Sequence, residues 1–218
     1  MPEPRALIFD VDGTLAETEE LHRLAFNRAF ATAGLDIAWD RPRYRQLLAV
    51  TGGKRRILRH FADAGLPPDE ALAGALHQSK NRFYADAMAE GIALRPGVAG
   101  LMNAAREAGL KLAIATTTGR SNLGALLAAV DLPPFDAIVT GEDVAALKPD
   151  PEAYVLALRR LDLDAGVALA FEDSVNGLKA ATGAGLRTVV TPGLYTAGED
   201  FSSAAIVVAD LVGFDWRA

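Results

Sequence analysis

Apolar positions along the chain fall into two patterns: short contiguous runs, and longer stretches spaced by three and four. The first run, residues 6–11, reads Ala6-Leu7-Ile8-Phe9 with Val11 just beyond, and predicts a buried strand that stops at a Gly13 turn. From residue 18 to about 90 the spacing is helical. Leu21, Leu24, Ala25, Ala29, Phe30 and Ala33 mark one face of a first helix, which Gly34 ends. Asp40 with Pro42 starts a second, which ends before Gly52-Gly53. Residues 54–64 predict a third, closed by Gly65 and Pro67-Pro68, and residues from 69 towards Gly91 a fourth. No strand pattern interrupts this stretch.

After Arg95-Pro96-Gly97 strand and helix patterns alternate. A helix over 98–108 stops at Gly109, and strands are predicted over 111–115, 137–140, 167–171 and 188–191. Helices are predicted near 122–130, 152–161 and 175–184, with a last short strand at 206–208. Such alternation predicts a parallel sheet covered on both faces. The expected fold is therefore α/β: a Rossmann-like parallel sheet core of residues 1–16 and 92–218, with residues 17–91 inserted as an α-helical cap domain.

Composition narrows the function classes. The 218 residues suffice for one core and a smaller lobe, and the 50% apolar and 23% charged fractions are ordinary for a globular protein. No apolar run approaches the roughly 20 residues of a membrane helix. Met1-Pro2-Glu3-Pro4-Arg5 leads straight into the first strand, without the pattern of a secretory signal. There are no cysteines, which excludes a disulfide scaffold, a thiolate zinc site and a cysteine nucleophile, and is compatible with the expected cytoplasmic location. A net charge of −6 argues against nucleic-acid binding, which needs clustered Lys and Arg. A small anionic substrate stays compatible if positive charge is gathered locally.

Four elements carry candidate chemistry, each placed after a predicted strand. Asp10 and Asp12, two apart at the end of the first strand, should project to one face at the carboxyl edge where parallel α/β sheets bind ligands. Their mutual repulsion calls for a cation or a shared proton. Glu172-Asp173 belongs at the same edge, so the two pairs offer the oxygen-rich site that Mg²⁺ prefers. Thr116-Thr117-Thr118-Gly119 enters a helix N-terminus as an oxyanion cradle, and Lys148, stiffened by Pro149 and Pro151, can neutralise phosphate charge. Bland readings fail at named positions. An EF-hand loop would need an acid and a Gly where Thr14 and Leu15 stand, and a P-loop ending at Gly53-Lys54 would need Gly at Leu48 and Ser or Thr at Arg55.

In combination these elements resemble the haloacid dehalogenase-like hydrolases, over essentially the whole core. Asp10 and Asp12 match the family's Asp-x-Asp-Gly-Thr motif, Thr116 its Ser/Thr motif, Lys148 its lysine motif and Glu172-Asp173 its terminal acidic motif. The resemblance implies that Asp10 is the nucleophile and forms an aspartyl-phosphate, that Asp12 is the acid and base, and that Thr116 and Lys148 hold the phosphoryl oxygens. It implies Mg²⁺ on Asp10, Asp173 and the Asp12 backbone carbonyl, with Glu172 direct or through water. Glu17 and His22 after the first motif, with the cap loop Gly52-Gly53-Lys54-Arg55, look closest to the CbbY-like and beta-phosphoglucomutase-like branch. That implies substrate contacts from Glu17, His22, Gly52, Gly53, Lys54, Arg55, Thr116, Thr117, Thr118, Arg120, Asn122 and Lys148. Lys54 and Arg55 would hold a second phosphate, whereas Lys80 and Arg82 read as surface residues. The implied reaction is hydrolysis of xylulose 1,5-bisphosphate to xylulose 5-phosphate by a monomer, with a sugar-phosphate mutase as the alternative. Asp12 and Glu172-Asp173 argue against a dehalogenase, which needs neither a metal nor a second acid.

Overall fold

The structure is a computed structural model of the chain and describes residues 3–217; Met1, Pro2 and Ala218 lie outside the described residues. Its sheet contains β1 (Ala6–Phe9), β2 (Lys111–Ala115), β3 (Ala137–Val139), β4 (Ala168–Glu172), β5 (Arg187–Val190) and β6 (Ile206–Val207). They run in the order β3-β2-β1-β4-β5-β6, and every pairing is parallel. Helices α1 (Glu19–Thr32), α2 (Arg41–Leu48), α3 (Gly53–Asp63) and α4 (Glu70–Ala89) follow β1. Helices α5 (Val98–Glu107), α6 (Arg120–Ala129), α7 (Glu152–Leu161) and α8 (Val175–Gly183) alternate with the later strands. The α/β architecture is as expected, with small shifts: β1 stops at Phe9, and β4 starts at Ala168 because residues 165–167 form a 3₁₀ turn.

Alternation along each strand divides the core. Leu7, Phe9, Leu112, Ile114, Leu169 and Phe171 face one side, and pack with Leu101, Met102 and Leu126 of α5 and α6. Ala6, Ile8, Ala113, Ala115, Ala168 and Ala170 face the other, against Tyr154, Ala157 and Ala181 of α7 and α8. Bulky residues thus line one face and small ones the other, so α7 and α8 can lie close to the backbone.

The helical block has its own apolar centre in Phe26, Phe30, Trp39, Tyr44, Ile57 and Phe61. Local signals set its ends. The Asp40 carboxylate accepts from Arg43 N to cap α2, where Pro42 needs no hydrogen bond, and Asp69 caps α4 through Leu72 N. The chain enters and leaves the block side by side, with Ala16 and Leu94 forming an antiparallel bridge. No helix among the described residues is long and apolar enough to cross a membrane.

Candidate active site

Carboxylates gather where two neighbouring strands, β1 and β4, end. Asp10 follows β1, Glu172 is the last residue of β4, and Asp173 comes next. All three are buried, and one oxygen from each lies within 4.8 Å of the others. Lys148 Nζ donates to Asp10 Oδ1 and to Glu172 Oε1, each at 2.6 Å. Tyr154 donates to the same Glu172 oxygen at 2.6 Å. Burial pushes the Asp10 carboxyl up to about 8, with Lys148 opposing and Glu172 adding to the rise. Burial, with Asp10 and Glu172 nearby, likewise raises Asp173 well above the carboxylate range. Lys148 is held above its ordinary value although burial alone would lower it, because Asp10 and Glu172 surround it.

This donor set fits a divalent cation. It is all oxygen, carries more negative potential than one lysine offsets, and is dry enough that burial drives protonation. Backbone packs tightly against it. A Cβ on Gly13, whose φ is 79°, would lie 2.2 Å from Asp173 Oδ2, and one on Gly177 would lie 1.8 Å from Glu172 Oε2. The backbone of Gly13 favours glycine, and a side chain at either position would displace a carboxylate.

Asp12 lines the same cleft with a different set of partners. Thr18 and Thr118 hydroxyls donate to its two oxygens, and His22 Nε2 lies 3.3 Å from Oδ1. Burial alone would raise the Asp12 carboxyl, but His22 and the two threonines outweigh it and hold it well below the usual range. The expectation that Asp10 and Asp12 act as one adjacent pair is therefore refined: the first belongs to the acidic cluster, and the second carboxylate turns towards the helical block. Thr116 is buried after β2, and its hydroxyl accepts from Thr118 N at 3.1 Å, so the threonine turn is preformed.

A cleft of about 640 Å³ opens above, between core and helical block. Its lining takes in the expected residues Asp10, Asp12, His22, Gly52, Gly53, Thr117, Thr118, Asn122, Lys148 and Asp173. Of the other expected residues, Thr116 and Glu172 are buried and do not line it, and four more lie away from it. Lys54 pairs with Glu70 at 2.7 Å away from the cleft, and Arg55 is exposed. Arg120 is exposed and paired with Asp143 at 3.0 Å, and Glu17 is drawn to Arg95 at 3.6 Å. None of these four lines the cleft.

Residues not singled out as substrate contacts in the sequence line the cleft instead. Arg56, with Glu19 and His77, lines the cleft from the helical block; its guanidinium donates to Tyr44 Oη at 3.3 Å, which donates to Glu19 at 2.6 Å. Lys80, expected at the surface, is 3% exposed and faces the cleft between the rings of Phe26 and Tyr84, while Arg82 is exposed as expected. Burial pulls Lys80 down to about 8 and His77 to about 4. A helical count from the apolar face of α4 places Lys80 four residues after Leu76 and four before Tyr84, a signal present in the sequence.

The chain is similar to known proteins over most of its length. The family model for haloacid dehalogenase-like hydrolases matches residues 4–185. Protein CbbY of Rhodobacter capsulatus is 50% identical over 214 residues, covering 96% of this chain and 94% of the relative. The phosphorylated carbohydrates phosphatase of Thermotoga maritima is 33% identical over 187 residues, covering 84% and 83%. A mutant CbbY of Rhodobacter sphaeroides, solved in complex with xylulose 1,5-bisphosphate, superposes with a TM-score of 0.91 at 49% identity, covering 95% of each chain. The chain belongs to the haloacid dehalogenase-like hydrolases, on their CbbY-like branch, and is a phosphatase.

Proposed function

We propose that this phosphatase hydrolyses a sugar bisphosphate, with xylulose 1,5-bisphosphate as its substrate and Mg²⁺ as its cofactor. The observation that carries the reading is one cleft with cationic groups from both the core and the helical block. Lys148 stands beside Asp10, and Arg56 and Lys80 reach in from the helical block. The neighbour crystallised with that same bisphosphate supports the choice of sugar.

On this reading residues 17–91 act as a cap that closes over the substrate and excludes water. Asp10 attacks the phosphorus in line and becomes an aspartyl-phosphate as the sugar oxygen leaves. Asp12 gives that oxygen a proton, then takes one from the water that attacks the aspartyl-phosphate. The hydrogen bonds that keep Asp12 ionised suit the second half-reaction; the first requires that it take up a proton before chemistry. Lys148 and the threonine turn hold the phosphoryl oxygens while charge redistributes. Asp10, Asp173 and Glu172 would hold Mg²⁺, which when bound offsets the charge between the two anions. The same reading places the enzyme in the cytoplasm beside carbon fixation, as a monomer.

The test is a panel of pentose and hexose mono- and bisphosphates ranked by kcat/KM with Mg²⁺. Xylulose 1,5-bisphosphate should rank first, with release of free phosphate. A mutase would instead convert glucose 1-phosphate to the 6-phosphate, given a bisphosphate activator, with no free phosphate; that result would overturn the hydrolytic reading.

A further inference from the structure

The segment between β5 and β6 touches both halves of the molecule through consecutive residues. Pro192 and Gly193 lead into Leu194, Tyr195 and Thr196, and both Tyr195 and Thr196 are buried. Tyr195 leaves the sheet domain to join the apolar centre of the helical block, where its ring meets Tyr44 edge-on at 5.4 Å. Its hydroxyl donates to Glu20 of α1. Glu20 is fixed in turn by Arg23 at 2.7 Å and Arg41 at 3.3 Å. Beside it, Arg45 of α2 donates to Leu194 O at 2.9 Å.

The next residue points the other way. Thr196 Oγ1 accepts from Gly193 N at 2.8 Å, which leaves its proton free for Asp173 Oδ2 at 3.4 Å. The Gly193 backbone borders this carboxylate and that of Glu17, since a Cβ there would be 3.4 Å from Asp173 Oδ2 and 3.1 Å from Glu17 Oε1. Arg95 clamps the start of the segment by donating to Thr191 O at 2.6 Å and Pro192 O at 3.0 Å, and it reaches Gly13 O as well. A short, well-anchored strap therefore has the helical block in one hand and a metal-ligand candidate in the other.

We propose that residues 192–196 couple engagement of the helical block to the orientation of Asp173, with Thr196 and Tyr195 acting as positioning residues. Thr196 sets the carboxylate directly; Tyr195 acts through Thr196 by fixing the strap against Glu20. The proposal rests on the reading of the acidic cluster as a Mg²⁺ site. Partners that orient a metal ligand commonly change metal affinity by about 10- to 100-fold. The 3.4 Å contact places Thr196 at the low end of that range.

Calorimetric titration of the substrate-free protein with Mg²⁺ tests it, alongside unfolding curves in EDTA that report whether each variant is folded. Thr196→Val should weaken Mg²⁺ binding by about tenfold. Tyr195→Ala and Glu20→Gln touch no candidate ligand, yet each should weaken it about two- to fivefold, with Tyr195→Phe close to Glu20→Gln. Glu20→Gln leaves the strap's own sequence intact, so a loss there cannot come from local collapse of the strap. Wild-type Mg²⁺ affinity in Tyr195→Ala and Glu20→Gln would overturn the coupling, and in Thr196→Val the positioning of Asp173. Absence of Mg²⁺ binding to the wild-type protein would remove the metal reading itself, and the proposal with it.

Discussion

Lys148 Nζ lies 2.6 Å from Asp10 Oδ1, and both groups are buried. The same nitrogen holds Glu172 at the same distance, so one cation offsets two carboxylates in a dry pocket. Removing one member of a buried pair leaves an uncompensated charge that costs about 3–5 kcal/mol. Lys148→Met should therefore lower the melting temperature in EDTA, and Mg²⁺ should restore part of the loss. Turnover should fall at least 100-fold even in Mg²⁺, because the proposed donor to the phosphoryl oxygens is gone. Thermal melts with and without Mg²⁺, beside steady-state kinetics, check both parts.

Asp10 gives a pH signature. Its folded pKa, about 8, lies above its unfolded value, so between pH 4 and 8 the folded, metal-free protein binds the extra proton. Stability contributed by this group is complete below that window and declines as pH rises through it. Mg²⁺ must displace the proton. The rise in melting temperature on adding Mg²⁺ should thus be larger at pH 8 than at pH 5, and an equal rise at both would count against Asp10 as a ligand.

Asp12→Asn separates acid-base chemistry from metal binding. The Asp12 carboxylate is held by Thr18, Thr118 and His22, away from the acidic cluster. We expect kcat to fall by roughly 10²–10⁴ while calorimetric Mg²⁺ affinity stays within about twofold. Loss of Mg²⁺ binding in this variant would show that its side chain serves the metal.

The cap cations should divide in effect. Lys80→Met should raise KM for a bisphosphate roughly 10- to 100-fold, the worth of a charged hydrogen bond, and raise it far less for an aryl phosphate. Lys54→Ala should change either by less than about twofold, because Lys54 is exposed and paired with Glu70. Wild-type KM for the bisphosphate should also climb above pH 8 as Lys80 loses its proton, and Lys80→Met should flatten that climb.

The core chemistry was readable because each group follows a strand, and a strand end is a fixed address. Asp10, Glu172 and Asp173 need only the sheet order to meet. The cap was harder. On a helix each residue turns about 100° from the last, so adjacent basic residues face different surroundings. In Lys54-Arg55-Arg56 the choice among three neighbours depends on how α3 seats against the core, and the inward residue is Arg56. Lys80 read as surface because charge normally lies outside; here two aromatic rings and a substrate cleft receive it. Tyr195 gave no local signal at all, since its partners Glu20 and Tyr44 lie about 150 residues or more earlier in the chain.

The bridge between Ala16 and Leu94 means that the chain enters and leaves the helical block through one doorway. Arg95 N donates to Leu15 O at 2.8 Å on the threshold, so entry and exit are stitched together. Whatever replaces residues 17–91 must arrive with its two ends adjacent and must cover Tyr195. The sheet and its acidic rim could then serve a lid of different shape, which makes this doorway the natural seam for grafting a new substrate preference onto the same chemistry.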